Sequence, residues 1–322
     1  MRGMHSSRPL LVVLAASALS LAACGSGNEP EPAAAPADST APASGAGFPR
    51  TVTHAMGTTE IRAEPLRVVV LDTGELDSAV TLGITPVGAV TTDVDEGFLS
   101  YLQADAAAVA KVGTIGEPNL EAIAAQRPDL ILSNKVRHEE LYDELSQIAP
   151  TVFAERVGVV WKDNLRLAAT ALGREKEAEA AIAAYEADAE GLGRSLPDRS
   201  ITLSPLRFVE GTIRVYSKES FIGTVLTDIG IAPPALPPGE FPAFAEISQE
   251  QLASADADVL VYASFGAPAD SGEAAVLAGP LWASLGAVKA GRAFAVDGDV
   301  FYSGIGLRAA TLMLEDLREM LA

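Results

Sequence analysis

The chain has 322 residues, 48% of them hydrophobic, with 43 acidic side chains against 23 Lys and Arg, a formal charge of −20. Phosphate recognition needs a concentrated basic surface, so this balance excludes nucleic acid as a main partner. A single cysteine leaves no intramolecular disulfide, and His54 and His138 are the only histidines beyond residue 23, too few for an ordinary zinc or manganese site.

In chain order, Arg2 and Arg8 give a positive start and residues 10–23 are almost wholly apolar. That is the layout of a signal peptide, and the run is shorter than the ~20 residues a spanning helix needs. It closes on Leu21-Ala22-Ala23-Cys24-Gly25, which resembles the lipobox of bacterial lipoproteins. The resemblance implies cleavage before Cys24 and a diacylglyceryl group on its sulfur. Lipidation also accounts for a lone cysteine in an exported chain. Two acyl chains hold a membrane firmly, at ~0.8 kcal/mol per buried methylene. Removing residues 1–23 takes Arg2 and Arg8 and no acid, so the formal charge becomes −22. Residues 24–47 are rich in Gly, Ser, Pro, Ala and Glu and read as a flexible tether. The folded part is therefore expected on the outer face of a cell membrane.

Folding begins near Phe48, and the remaining stretch is longer than one hydrophobic core usually supports, which favours two lobes. Residues 66–71 read as a buried strand, 75–82 as a helix, 87–90 as a strand, 120–126 as a helix and 130–132 as a strand. Such alternation predicts an α/β lobe. Residues 163–194 carry no proline and repeat apolar side chains at helical spacing through Leu167, Ala171, Ala178, Ile182 and Tyr185. One long α-helix is expected there, with Gly173 as the point where it would be interrupted. A second series follows: strands at 207–209, 213–216, 259–262 and 293–296, then a helix over 307–321. The fold class is α/β, with an N-terminal lobe at 48–160, a connecting helix at 161–195 and a C-terminal lobe at 196–322.

The two halves also resemble each other. Leu120-Glu121-Ala122-Ile123-Ala124 aligns with Gln249-Glu250-Gln251-Leu252-Ala253, and Asp129-Leu130-Ile131-Leu132 with Asp258-Val259-Leu260-Val261. Earlier, Leu82-Gly83-Ile84-Thr85-Pro86 answers Ile229-Gly230-Ile231-Ala232-Pro233. Similar order in each half implies pseudo-twofold lobes with a cleft between them.

From residue 48 onward the chain resembles the iron-siderophore substrate-binding proteins of ABC importers. The matching runs are Phe48-Pro49-Arg50-Thr51-Val52-Thr53-His54, Leu82-Gly83-Ile84-Thr85-Pro86-Val87-Gly88, Gly116-Glu117-Pro118-Asn119-Leu120-Glu121 with Arg127-Pro128-Asp129-Leu130-Ile131, residues 145–152, and Trp282 with Leu314-Glu315-Asp316-Leu317. The resemblance implies two lobes joined by one long helix, a monomer that binds rather than catalyses, and no cofactor. A ferric siderophore would enter the cleft and be delivered to a membrane permease. It also implies one docking glutamate per lobe, and Glu121 and Glu250 match that pattern. Both follow plausible N-caps, Asn119 and Ser248, so a favourable helix dipole alone would also account for them.

Cleft candidates follow from where α/β lobes bind ligands, at the carboxyl ends of strands. Residues 133–138 follow a strand, so Arg137 or Lys135 would meet the oxygen shell of a chelate. Arg207 stands at the head of an apolar strand, where an arginine is costly unless paired, with Glu210 as the structural partner, or aimed at a ligand. Tyr216 closes the next strand. Trp161, at the entry to the connector, resembles a family tryptophan near the cleft, and Phe301 and Tyr302 lie in a glycine-containing loop. The Pro-rich residues 232–241 would form a rim. The acidic composition suits a neutral or cationic hydroxamate chelate over an anionic catecholate. Haem or cobalamin on the same scaffold is the nearer alternative. No G-x-S-x-G elbow occurs, so a secreted enzyme would have to work with carboxylates.

Overall fold

A computed structural model of the chain describes residues 47–94, 97–233 and 241–322. The signal segment, Cys24 and the tether through residue 46 lie outside the described residues, as do residues 234–240 of the proposed rim.

The N-terminal lobe opens with a hairpin, β1 (Arg50–His54) and β2 (Gly57–Ile61). It continues with β3 (Val68–Val70), α1 (Thr73–Thr81), β4 (Gly88–Thr91), β5 (Ala110–Thr114), α2 (Leu120–Ala125), β6 (Leu130–Asn134), α3 (Lys135–His138), α4 (Tyr142–Ile148) and β7 (Thr151–Ala154). Five strands form a parallel sheet in the order β5-β4-β3-β6-β7. A parallel sheet is covered on both faces, so its central strands are continuously apolar. Successive residues alternate between the two layers: Val68, Val70, Leu130 and Leu132 join one core cluster, Val69 and Ile131 another.

The connector consists of α5 (Trp161–Leu172) and α6 (Glu175–Ser195). The expected helix is broken at Gly173, whose φ of +71° is left-handed and whose N–H bonds back to Ala169 O, closing α5. The C-terminal lobe contains β8 (Leu203–Val209), β9 (Thr212–Tyr216), α7 (Phe221–Ile229), β10 (Phe244–Ile247), a 3-10 segment (Gln249–Ala255), β11 (Val259–Ser264), α8 (Glu273–Leu277), α9 (Pro280–Ser284), α10 (Gly286–Lys289), β12 (Ala293–Ala295), a π-turn (Asp299–Ser303) and α11 (Leu307–Met320). Its sheet runs β10-β9-β8-β11-β12; β8, β11 and β12 are parallel, and β9 is antiparallel to both neighbours.

The internal repeat has a physical counterpart. Asp129 accepts the N–H groups of Leu66 and Arg67, just ahead of β3, at 2.9 Å each. Asp258, its partner in the alignment, accepts from the Thr202 N–H at 2.8 Å, just ahead of β8. Each aspartate ties the start of its own strand to the start of the neighbour.

The lobes do not merely meet at the connector. One apolar cluster runs through Val68, Trp161, Leu203, Val259 and Leu314 and so belongs to both. Across the same seam, Asp77 of α1 caps α11: the N–H groups of Arg308 and Ala309 donate to its two carboxylate oxygens at 3.0 and 3.1 Å. Tyr101 OH donates to Asp77 Oδ2 at 2.9 Å, and Ser100 bonds to Asp297 and Asp299 at 2.8 Å each.

The packing of α6 on α7 depends on Gly193, where a Cβ would collide with the Ile229 carbonyl. Gly191, two residues earlier, faces open space. Gly193→Ala is expected to destabilise the protein by ~1–3 kcal/mol through overpacking, and Gly191→Ala to stabilise it by up to ~1 kcal/mol. Urea denaturation of the two variants checks the contrast.

Candidate functional site

Between the lobes lies a cleft of about 850 Å³, within the range of small-molecule sites. Asp72 and Thr73 follow β3, Thr92 and Asp93 follow β4, and Arg137 lies in α3 after β6. Arg207 and Arg214 come from β8 and β9, Phe265 follows β11, and Asp297 to Ser303 follow β12. The parallel strands thus deliver their carboxyl ends to one place.

Alternation along β8 and β9 sets which side chains reach it. Leu206, Phe208, Ile213 and Val215 turn into the core of the C-terminal lobe, so Arg207 and Arg214 share the opposite face. These two arginines are direct partners in the antiparallel register, and Glu246 of β10 is in turn the partner of Arg214. Like charges opposite each other destabilise a sheet. Arg214 is offset: its Nε donates to Glu246 Oε1 at 3.0 Å, and its guanidinium lies 4.5 Å from the Phe244 ring centre.

Arg207 is not. It is 8% exposed, and among the described residues no carboxylate pairs with it; Glu210, its expected structural partner, sits in the turn between β8 and β9 instead. Its Nη2 donates to Ser303 Oγ at 2.9 Å, and its guanidinium lies 4.6 Å from the Phe265 ring and 5.4 Å from Tyr302. Its Nε is buried with no acceptor. A buried guanidinium without a counter-charge, one part of it lining the cleft, favours an anion brought to that part.

On the opposite wall Arg137 donates from Nε to Asp72 Oδ2 at 3.2 Å, its side chain 45% exposed beside a fully buried carboxylate. Asn134 supports both: Nδ2 donates to Asp72 at 3.0 Å, and its side-chain oxygen accepts from the Arg137 N–H at 3.1 Å. Behind them Glu75 is buried, accepting from Asn134 at 3.3 Å, with Oε2 unpartnered. Burial, then the neighbouring Asp72 carboxylate, push the Glu75 carboxyl up to about 8, against the pull of Asn134 and Arg137. Burial likewise raises Asp77 to about 6, against the donors that surround it.

Of the other predicted cleft residues, Tyr302 lines the site, its OH donating to Leu206 O at 2.8 Å, so it offers ring surface rather than a free hydroxyl. Tyr216 stands behind it, ring centres 4.9 Å apart. Trp161 does not reach the cleft. It is 2% exposed, packs edge-on against Tyr185 and Phe221, and donates from Nε1 to Thr224 Oγ1 at 2.9 Å. It is a core residue joining α5 to α6 and α7, because the first turn of α5 faces the shared core. Lys135 lies in a neighbouring groove, 3.8 Å from both Glu139 and Glu155.

His138 is buried between Ser133 Oγ and Ile115 O, both at 2.7 Å, and His54 is tied to Thr59 at 2.9 Å. Among the described residues no group of His, Cys, Asp and Glu is arranged to hold a metal ion. Glu121 and Glu250 are both exposed at the starts of their helical segments. Asn119 caps the first, accepting from the Ala122 N–H at 2.9 Å, and Gln251 Oε1 accepts from the Ser248 N–H at 3.0 Å in the second.

Sequence reading missed Arg214, Asp72, Thr73 and Ser303. A signal for Arg214 was present. Glu210-Gly211 is a two-residue turn between alternating strands, and counting outward from it sets Arg207 opposite Arg214.

Residues 68–300 match the family model described as "Periplasmic binding protein". The chain is 40% identical over 280 residues to "Probable siderophore-binding lipoprotein YfiY" of Bacillus subtilis (strain 168), covering 83% of this chain and 86% of that protein. It is 30% identical over 277 residues to the Fe(3+)-citrate-binding protein YfmC of the same organism, covering 83% and 84%. The crystal structure of Staphylococcus aureus SirA complexed with staphyloferrin B matches with a TM-score of 0.73 at 30% identity, covering 84% of this chain and 98% of that one.

Glu75 generates a pH prediction. Its folded-state pKa lies above the ordinary value of 4.5, so the native state holds its proton more tightly than the unfolded chain. Stability from this group is full below about 4.5 and is lost as pH rises towards about 8. Glu75→Gln keeps the neutral shape, so its melting temperature relative to wild type is expected to rise by several degrees between pH 5 and pH 9. Scanning calorimetry across that range checks it.

Proposed function

The chain belongs to the periplasmic binding protein family, and from that premise we propose that it captures a ferric chelate with anionic oxygens, a siderophore or citrate complex, and delivers it to an ABC permease. The observation that carries this reading is the row Glu246, Arg214, Arg207 across β10, β9 and β8: two guanidiniums to one carboxylate, with the buried Arg207 left without its own. An anionic oxygen shell supplies the missing charge at the part of the guanidinium that lines the cleft. The aromatic faces of Phe265 and Tyr302 beside Arg207 suit the organic part of such a ligand.

Net acidity favours a hydroxamate, and Asp72, Asp93, Asp297 and Asp299 also line the cleft; it is Arg207, buried without a carboxylate, that favours anionic oxygens on the ligand. Long-range charge acts on the rate of encounter, while the buried donors act on the bound state. A relative named for ferric citrate supports the same direction.

The protein works as an exported, lipid-anchored monomer that releases its ligand unchanged. Cys24 carries the lipid, and the tether keeps the domain at high effective concentration near its permease. Glu121 and Glu250, exposed on equivalent segments of the two lobes, are the docking contacts.

Calorimetric titration with ferric citrate, a ferric catecholate, a ferric hydroxamate, haem and cobalamin tests the ligand. The expected result is tightest binding of an anionic ferric chelate, weakened about 10- to 100-fold in Arg207→Ala by loss of charge-assisted hydrogen bonds. Preference for haem or cobalamin contradicts the reading. In cells, Glu121→Ala with Glu250→Ala is expected to abolish iron uptake without changing affinity in vitro. Cys24→Ala is expected to spare affinity and lose membrane retention; unchanged uptake in the glutamate variant removes the docking assignment.

A further inference from the structure

The two cleft arginines come from different lobes, yet an unbroken series of hydrogen bonds joins them. Arg137 Nε donates to Asp72 Oδ2 at 3.2 Å, and Asp72 Oδ1 accepts the Thr73 N–H at 2.6 Å. Thr73 Oγ1 donates across the seam to Ser303 O at 2.8 Å, and Ser303 Oγ accepts from Arg207 Nη2 at 2.9 Å. We propose that Asp72, Thr73 and Ser303 are positioning residues that hold Arg137 and Arg207 in one frame, so that the cleft selects chelates by the spacing of their anionic oxygens. This deepens the ferric-chelate reading and rests on it for the identity of the ligand.

Three features make the frame stiff. Asn134 fixes both the Asp72 carboxylate and the backbone of Arg137. The segment carrying Ser303 is bonded to α1 at both ends, by Thr73 to Ser303 O and by Asp77 to the start of α11. Between those bonds Ile305 is held at φ +26°, a value a β-branched residue adopts only where its surroundings over-determine it. Its neighbour Gly306 has no room for a Cβ, which would strike the Asp77 side chain. A segment pinned and strained in this way keeps Ser303, and through it Arg207, at a set distance from α1.

A purely local N-cap role for Asp72 would affect only its own helix; the frame transmits across the seam. Solvent exchange of arginine side-chain Nε–H groups, followed by NMR in the ligand-free protein, separates the two. Asp72→Asn is expected to speed exchange at Arg137 and also at Arg207. Thr73→Val, which cuts the seam bond but keeps the Asp72 cap, is expected to speed it at Arg207, with Thr73→Ser restoring the wild-type rate. Asp72→Asn acting on Arg137 alone, or Thr73→Val leaving Arg207 unchanged, overturns the frame. With ferric citrate as probe, Thr73→Val is expected to weaken binding about tenfold, the loss of one hydrogen bond next to charged groups. It should also make the affinity losses of Arg137→Ala and Arg207→Ala additive where in wild type they are not. Non-additivity that survives in Thr73→Val also overturns the frame. If exchange behaves as stated and the wild-type protein binds no ferric chelate, the frame stands and the ligand assignment falls.

Discussion

Asp77 sits on α1 in the N-terminal lobe and caps the last helix of the C-terminal lobe, and the cleft depends on that one carboxylate. Its two oxygens take the N–H groups of Arg308 and Ala309 in the first turn of α11, where four orphan donors and the positive end of the helix dipole gather. Together with the core cluster shared through Trp161 and Leu314, the cap holds the two lobes as one body. A hinge that swung widely would have to break the cap, bury no compensating surface and expose Trp161.

Rigidity has an energetic consequence at the site. Where lobes close around a ligand, charged groups shed their water only as the ligand arrives. Here Arg207 is desolvated without it, supported by Ser303 and by the rings of Phe265 and Tyr302. Cation–π contact and one neutral hydrogen bond offset part of the cost of a buried guanidinium but leave Nε without an acceptor. The protein therefore carries standing strain at its cleft, in an unpaired charge and in Ile305, and both line the same space. Stability given up there returns as affinity, since a pre-arranged site loses less freedom on binding.

How much of this was legible in the sequence follows from how local each cause is. The central strands announced themselves because parallel strands buried on both faces are continuously apolar, and 68–70, 130–132 and 259–261 have no other reading. The break at Gly173 was visible because a helix C-cap is a backbone effect of a few neighbouring residues, and the correspondence of Asp129 with Asp258 because the two halves repeat a short run of sequence. Trp161 was misplaced because position at a helix entry says nothing about which face turns inward, and only the packing of α6 and α7 decides that. The hairpin strand β2 and the edge strands β5, β7 and β10 were missed, because polar residues shorten or interrupt their apolar runs. Asp72, Thr73 and Glu75 read as an ordinary helix start. Their burial comes from Asn134 and Ser303, which lie 62 and 231 positions from Asp72 along the chain, and no local pattern reports a contact of that kind.

The central claim is that Arg207, buried and without a carboxylate of its own, waits at the cleft for an anionic oxygen brought by the ligand. A crystal structure of the protein soaked with ferric citrate tests it most directly. The account predicts a chelate oxygen within about 2.7–3.2 Å of the Arg207 guanidinium, in the cleft between Arg137 and Phe265, with the Asp77 cap unbroken. A chelate held elsewhere, out of contact with Arg207, would contradict it.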